Sequence, residues 1–159
     1  MSESPSRADR PRKFLVVVDK TPECKVALRF AARRAQHTGG RVCLLCVAEQ
    51  ADFQQWKGVE EIMKDEAHQG AENLIYEAAK TVNELAGLMP ELLIEHGEPG
   101  ECLLKLIHRD KDISILVLAS GTAKEGPGPL VSLFAGTVQS IPVTIVPGNL
   151  SDGDVDELA

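Results

Sequence analysis

Five short apolar runs, separated by helix-like segments, constrain the fold of this chain more than any other feature. They are FLVVVD (14–19), VCLLCV (42–47), ELLIEH (91–96), ISILVLAS (113–120) and VTIV (143–146). Four of the five are nearly apolar on both faces, as strands are when helices cover both sides of a parallel sheet. ELLIEH alternates more, so it is expected at an edge. Thr21-Pro22-Glu23 reads as a helix start, a capping hydroxyl followed by proline in the first turn. Gly39-Gly40 ends that helix. Met63, Ala67, Ala71, Leu74, Ala78, Val82 and Leu85 recur at steps of three and four, which makes one helical stripe. Glu98-Pro99 opens a third helix with Leu103, Leu106 and Ile107 on one face, and a fourth is expected at about 129–139. The order β-α-β-α-β-α-β-α-β implies an α/β fold: an open, doubly wound, five-stranded parallel sheet with right-handed crossovers and helices on both faces.

The 159 residues fit one domain. Residues 13–148 form the expected folded part, between a flexible N-terminal tail (1–12) and an acidic, flexible C-terminal tail (149–159). The longest unbroken apolar stretch, Val42 to Ala48, is far short of a membrane span of about 20 residues. The first dozen residues lack the apolar core of a signal peptide. Four cysteines without an export signal point to reduced thiols and a cytoplasmic location. A net charge of −7 argues against nucleic acid as the main partner.

In doubly wound sheets, ligands bind beyond the carboxyl ends of the strands, at the point where strand order reverses. Those ends are Asp19, Val47 to Glu49, Glu95 to Gly97, and Ala119 to Gly121. The segment after the fourth run, Ala119-Ser120-Gly121-Thr122-Ala123-Lys124-Glu125-Gly126-Pro127-Gly128-Pro129, is the most informative. Glycines let backbone N–H groups approach a phosphate, and Ser120, Thr122 and Lys124 bring further donors. A plain loop of turn residues has the same composition. Gly121-x4-Gly126 begins like a P-loop, but Pro127 stands where lysine is required. A dinucleotide fingerprint would place its glycines after the first strand, where Lys20-Thr21-Pro22 stands instead.

Taken in order, VVVD, ALRFAARRAQHTGGRVCLLCV, GEPGECLLKLI, ISILVLASGTAKEGPG and IPVTIVPG resemble the universal stress protein family over about residues 13–147. The resemblance implies a Rossmann-like sheet of order 3-2-1-4-5, frequent homodimers, and a nucleotide site that some members use for ATP and others lack. It places an acidic nucleoside contact at Asp19, beside Val17 and Val18, and an adenine-lining residue at Val47. The phosphates fall to Ala119, Ser120, Gly121, Thr122, Lys124, Gly126 and Gly128, with Mg²⁺ accompanying ATP. The family's Gly-x2-Gly-x9-Gly-Ser/Thr loop is matched only in its second half, Gly126-x9-Gly136-Thr137, because Ala123 occupies the first glycine position. A last helix opening at Gly136 would leave four residues before Pro142, about one turn. The helix is therefore placed at 129–139, and the glycine loop is read as shorter than the family's.

Other constellations resolve into packing or solvation. Cys43-x-x-Cys46 lies within a strand, where residues three apart face opposite ways. Cys24 and Cys102 read as packing residues. The histidines lack ligand spacing, with His96 alone at the rim of the expected site. Phe53 and Trp56 are expected to pack against the second helix, and its acidic residues form a solvated face. No metal site is read. Two functions remain: a regulatory protein that binds an adenine nucleotide, or a homodimeric interaction module that binds none and pairs through VTIV, with an unknown regulatory partner. A phospho-acceptor switch lacks its cluster of acids, and no Gly-x-Ser-x-Gly elbow supports nucleophilic catalysis. The chain is expected not to be an enzyme, with slow ATP hydrolysis or autophosphorylation left open.

Overall fold

The computed structural model describes residues 10–48, 57–122, 126–136 and 139–159, with residues 57–64 described by their backbone alone. Five parallel strands, β1 (Lys13–Val17), β2 (Arg41–Ala48), β3 (Glu91–His96), β4 (Ile113–Ser120) and β5 (Val143–Pro147), form one sheet in the order β3-β2-β1-β4-β5. The architecture is the expected doubly wound one, and ELLIEH is an edge strand. Helices α1 (Cys24–Thr38) and α2 (Lys57–Ala86) cover one face, and α3 (Pro99–Arg109) and α4 (Pro129–Ala135) cover the other. A fifth helix, α5 (Asp152–Leu158), packs against α1.

Alternation along the strands divides the core in two. Phe14, Val16, Val42, Leu44 and Cys46 pack with Ala27, Ala31 and Ala35 of α1 and with Ala71, Ile75 and Val82 of α2. Leu15, Cys43 and Leu45 point the other way, onto Leu103, Leu106 and Ile107 of α3 and Val131 and Phe134 of α4. Burial on both faces is why the sequence runs are apolar without interruption. The helical stripe from Ala67 to Leu85 lies on the first of these cores, joined by Ile75, which the stripe did not include. The side chain of Met63 lies outside the described residues.

Three local expectations give way. The first helix begins at Cys24, with Glu23 at its N-cap and no side-chain capping bond. The Thr21 amide (2.9 Å) and hydroxyl both donate to Asp19 Oδ1 instead, and that turn delays the helix. The fourth helix ends at Ala135, with Gly136 as its C-cap, rather than continuing to 139. Residues 137–138 lie outside the described residues, as do residues 1–9 of the N-terminal tail. The last residues of that tail are engaged: Arg10 pairs with Asp112 at 2.6 Å, and the Arg12 carbonyl accepts from the Arg41 amide.

The C-terminal stretch is a helix and not a flexible tail. Ser151 caps it by accepting from the Asp154 amide at 3.2 Å, and Val155 and Ala159 are buried. Arg29 grips Asp156 with two hydrogen bonds of 2.8 Å, and Arg33 adds a third at 3.1 Å. Asp152 and Asp156, which look solvating in sequence, thus meet arginines of α1.

Glu98 behaves as the sequence predicts. Its carboxylate accepts from the Gly100 and Glu101 amides at 3.0 and 2.7 Å, and Pro99 occupies the first turn of α3. Gly100 permits the close approach of α3 and α4, since a side-chain carbon there would stand 2.9 Å from Leu133 Cδ2.

Candidate functional site

From the end of β1 the chain turns into α1 on one face, while from the end of β4 it turns into α4 on the other. The neighbouring carboxyl ends of β1 and β4 therefore diverge into a crevice, the switch point of the sheet. A cavity of about 260 Å³ opens there. Val17, Val18, Asp19, Val47 and Ala119 line it, and so does Gly128 at the end of the glycine loop. Thr21, Glu23, Cys24 and Ala27 complete one wall, and Pro99, Leu130 and Val131 the other. The lining is mostly apolar, with a few polar groups that can orient a ligand, as in small-molecule sites generally.

The cavity continues into an open groove of about 660 Å³ bordered by Gly121, Thr122, Gly126, Gly128, Ser132 and Gly148. Thr21, Glu23, Gly128 and Pro129 belong to both compartments, so Glu23 stands at their junction. Lys124 lies outside the described residues. Ser120 ends β4, and its carbonyl accepts from the Gly148 amide at 3.1 Å. The Gly121 amide donates to the Pro127 carbonyl at 2.8 Å, which closes the loop on itself. Gly126 and Gly128 have φ of +97° and +109°, a backbone that favours glycine at both positions.

Asp19 has two roles available. Its Oδ1 is held by the Thr21 amide and hydroxyl, which fixes the carboxylate at the mouth of the cavity. Its other oxygen is not engaged in that turn and can accept from a ligand hydroxyl or amine. The Cys24 thiol, donating to the Val17 carbonyl at 3.7 Å, is pushed up to about 11 by burial. It therefore stays protonated at neutral pH and acts as cavity wall, not nucleophile. Glu23 is the site residue that sequence reasoning assigned only to a helix start. Its signal was position: the residue at the N-cap of the first helix borders the switch point.

Several other candidates fall elsewhere. His96 turns away to His68, with 2.9 Å between His96 Nε2 and His68 Nδ1, and His68 Nε2 lies 3.1 Å from Glu72. A second cavity, about 380 Å³ beneath α2, shares Val18, Asp19 and Val47 with the first but does not open on the glycine loop. Cys43 and Cys46 are buried on opposite faces of β2, and burial pushes the Cys43 thiol up to about 12. Phe53 and Trp56 lie outside the described residues. Among the described residues, no three His, Cys, Asp or Glu side chains are grouped to hold a metal ion, and no helix is long and apolar enough to cross a membrane.

The family model of universal stress proteins matches residues 11–147, which spans the sheet, the crevice and the glycine loop. The chain belongs to the universal stress protein family. Solved universal stress proteins share its fold. The protein UspA from Lactobacillus plantarum superposes with a TM-score of 0.74 at 17% identity, covering 86% of this chain and 98% of its own. A family protein from Arabidopsis thaliana, solved with AMP bound, gives 0.58 at 18% identity, covering 91% and 99%. A universal stress protein from Archaeoglobus fulgidus in complex with dAMP gives 0.56 at 21%, covering 85% and 97%. No curated protein matches the sequence significantly.

Proposed function

We propose that this universal stress protein is a regulatory protein that binds an adenine nucleotide in the crevice between β1 and β4. The observation that carries the reading is the continuity of an apolar cavity, bounded by Asp19 and Val47, with a polar groove along the glycine loop. An aromatic base and ribose suit the first compartment, and the second leads away from it along backbone that a polar group can approach. Family relatives solved with AMP and dAMP support this choice of ligand. ATP with Mg²⁺ is the fullest version of the ligand that the family resemblance implies. Turnover is not part of the proposal.

Calorimetric titration with AMP and with GMP tests the reading. Saturable AMP binding is expected, with GMP weaker. Asp19→Ala should weaken AMP by about tenfold or more, as loss of a hydrogen bond to a charged group does. Equal binding of AMP and GMP, or an Asp19→Ala variant that binds like the parent, contradicts it.

We also infer a homodimer through β5. That strand is a sheet edge on which Ile145 remains 39% exposed. Sedimentation at micromolar concentration should give twice the chain mass, and a strictly monomeric protein removes this reading.

A further inference from the structure

We propose that the outer face of α1 is a docking surface for an acidic helical segment of a partner protein, and that α5 occupies it in cis as a displaceable cover. The inference is independent of the nucleotide reading. Lys25, Arg29 and Arg33 recur at four-residue steps and so share one face of α1. In a chain of net charge −7, that face is a local basic surface. α5 lies on it. Arg29 takes Asp156 in a fork of two 2.8 Å bonds and reaches Asp152 at 3.5 Å, and Arg33 Nε donates to Asp156 at 3.1 Å. Asp152, Val155 and Asp156 share one face of α5, and Val155, the buried residue of that helix, is 1% exposed.

Two features make α5 a cover and the arginine face a site in its own right. The family match ends at residue 147, so α5 lies beyond the shared domain. Arg33 is also held without α5: its Nη1 donates to the Leu85 carbonyl, in the last turn of α2, at 2.6 Å and to Gln36 Oε1 at 3.3 Å. That part of the seat persists when α5 leaves. A seven-residue helix does not hold its shape alone in water, and α5 buries one of its side chains, so it opens more readily than the sheet. The occupant defines the partner's chemistry: two carboxylates four residues apart, with an apolar side chain beside the second. Arginine forks suit carboxylates, which accept two parallel bonds. Phosphates of a nucleic acid suit them too, but bring no apolar group to the place of Val155.

The test is fluorescence polarisation of a labelled peptide, NLSDGDVDELA, with the full chain and with its Val155→Lys variant. Lysine there sets a cation among the arginines and undocks α5. In the parent the face is open only while α5 is released, which lowers apparent affinity by that fraction. Val155→Lys should therefore bind the peptide at least about tenfold more tightly than the parent. Adding Arg29→Glu should abolish this binding, and NaCl should weaken it. Amide exchange in the parent needs no variant. Unlabelled peptide at about millimolar concentration should speed exchange at the Val155 and Ala159 amides, which bond to the Ser151 and Val155 carbonyls, and leave β1 unchanged. Equal binding by parent and variant, or binding that survives Arg29→Glu, overturns the inference. So does a variant that binds no peptide together with unchanged exchange in the parent. A DNA duplex that binds Val155→Lys more tightly than the peptide assigns the face to nucleic acid and overturns it as well.

Discussion

At the scale of single residues, the molecule uses charged groups at both ends of the sheet, and in opposite ways. Lys13, at the start of β1, is buried, yet its ammonium meets Asp110 and Glu91 at 2.6 Å each. Burial pulls its pKa down, but the hydrogen bonds to the two carboxylates outweigh that and hold it raised. Lys13→Ala leaves two acids facing each other without their cation, and should lower unfolding stability by about 2 kcal/mol. Lys13→Met, which fills the volume with apolar atoms, should cost less than Lys13→Ala. Urea unfolding of both variants checks the ordering, and a Lys13→Met no better than Lys13→Ala contradicts it. At the carboxyl end, Asp19 illustrates how far residue-level reading reaches. Its position at the end of VVVD marks it from sequence as both a turn residue and a ligand contact. The structure shows the turn directly, in the two Thr21 bonds. Glu23 was invisible as a site residue, because its proximity to Gly121 and Gly148 depends on residues about 100 and 125 positions away.

At the scale of elements, the strands were legible because both their faces are buried, and α3 because Glu98 and Pro99 announce its start. The helices that were misjudged are those whose limits tertiary contacts set. α4 stops at Gly136. α5 exists because Asp156 meets Arg29 and Arg33, while Val155 is buried. Local composition of 149–159 holds no trace of those arginines. The grip on Asp156 has a pH signature. Hydrogen bonding to Arg29, and then to Arg33, lowers its carboxyl to about 2, below the ordinary value of about 3.9. A carboxylate held below its unfolded pKa stabilises fully above that unfolded value, and the contribution fades as pH falls through the folded one. The melting-temperature gap between the parent and Asp156→Asn should therefore be constant from pH 7 to about 5 and close as pH falls towards 2. A gap that persists unchanged in acid contradicts the ion-pair origin of α5.

At the scale of the whole molecule, the fold follows from one choice, a parallel sheet covered on both faces. That choice places the crossovers of β1 and β4 on opposite sides and opens the crevice between them. The location of the crevice was thus readable from the order of elements, and a cavity lies there, lined by Val17 to Asp19, Val47 and Ala119. The inner surface of the loop was less readable, because which of its amides face outwards depends on contacts such as Gly121 to Pro127. The same topology leaves β3 and β5 as edges, one bearing charged ends and the other Ile145.

The central claim is that the β1–β4 crevice is the adenine site, and amide chemical-shift mapping tests it most directly. Isotope-labelled protein would be titrated with AMP and followed by two-dimensional NMR. The account predicts saturable shifts concentrated at residues 17–24, 47–48, 117–122 and 126–132, with β3 and α5 unmoved. Shifts centred elsewhere, or none at millimolar AMP, would contradict it.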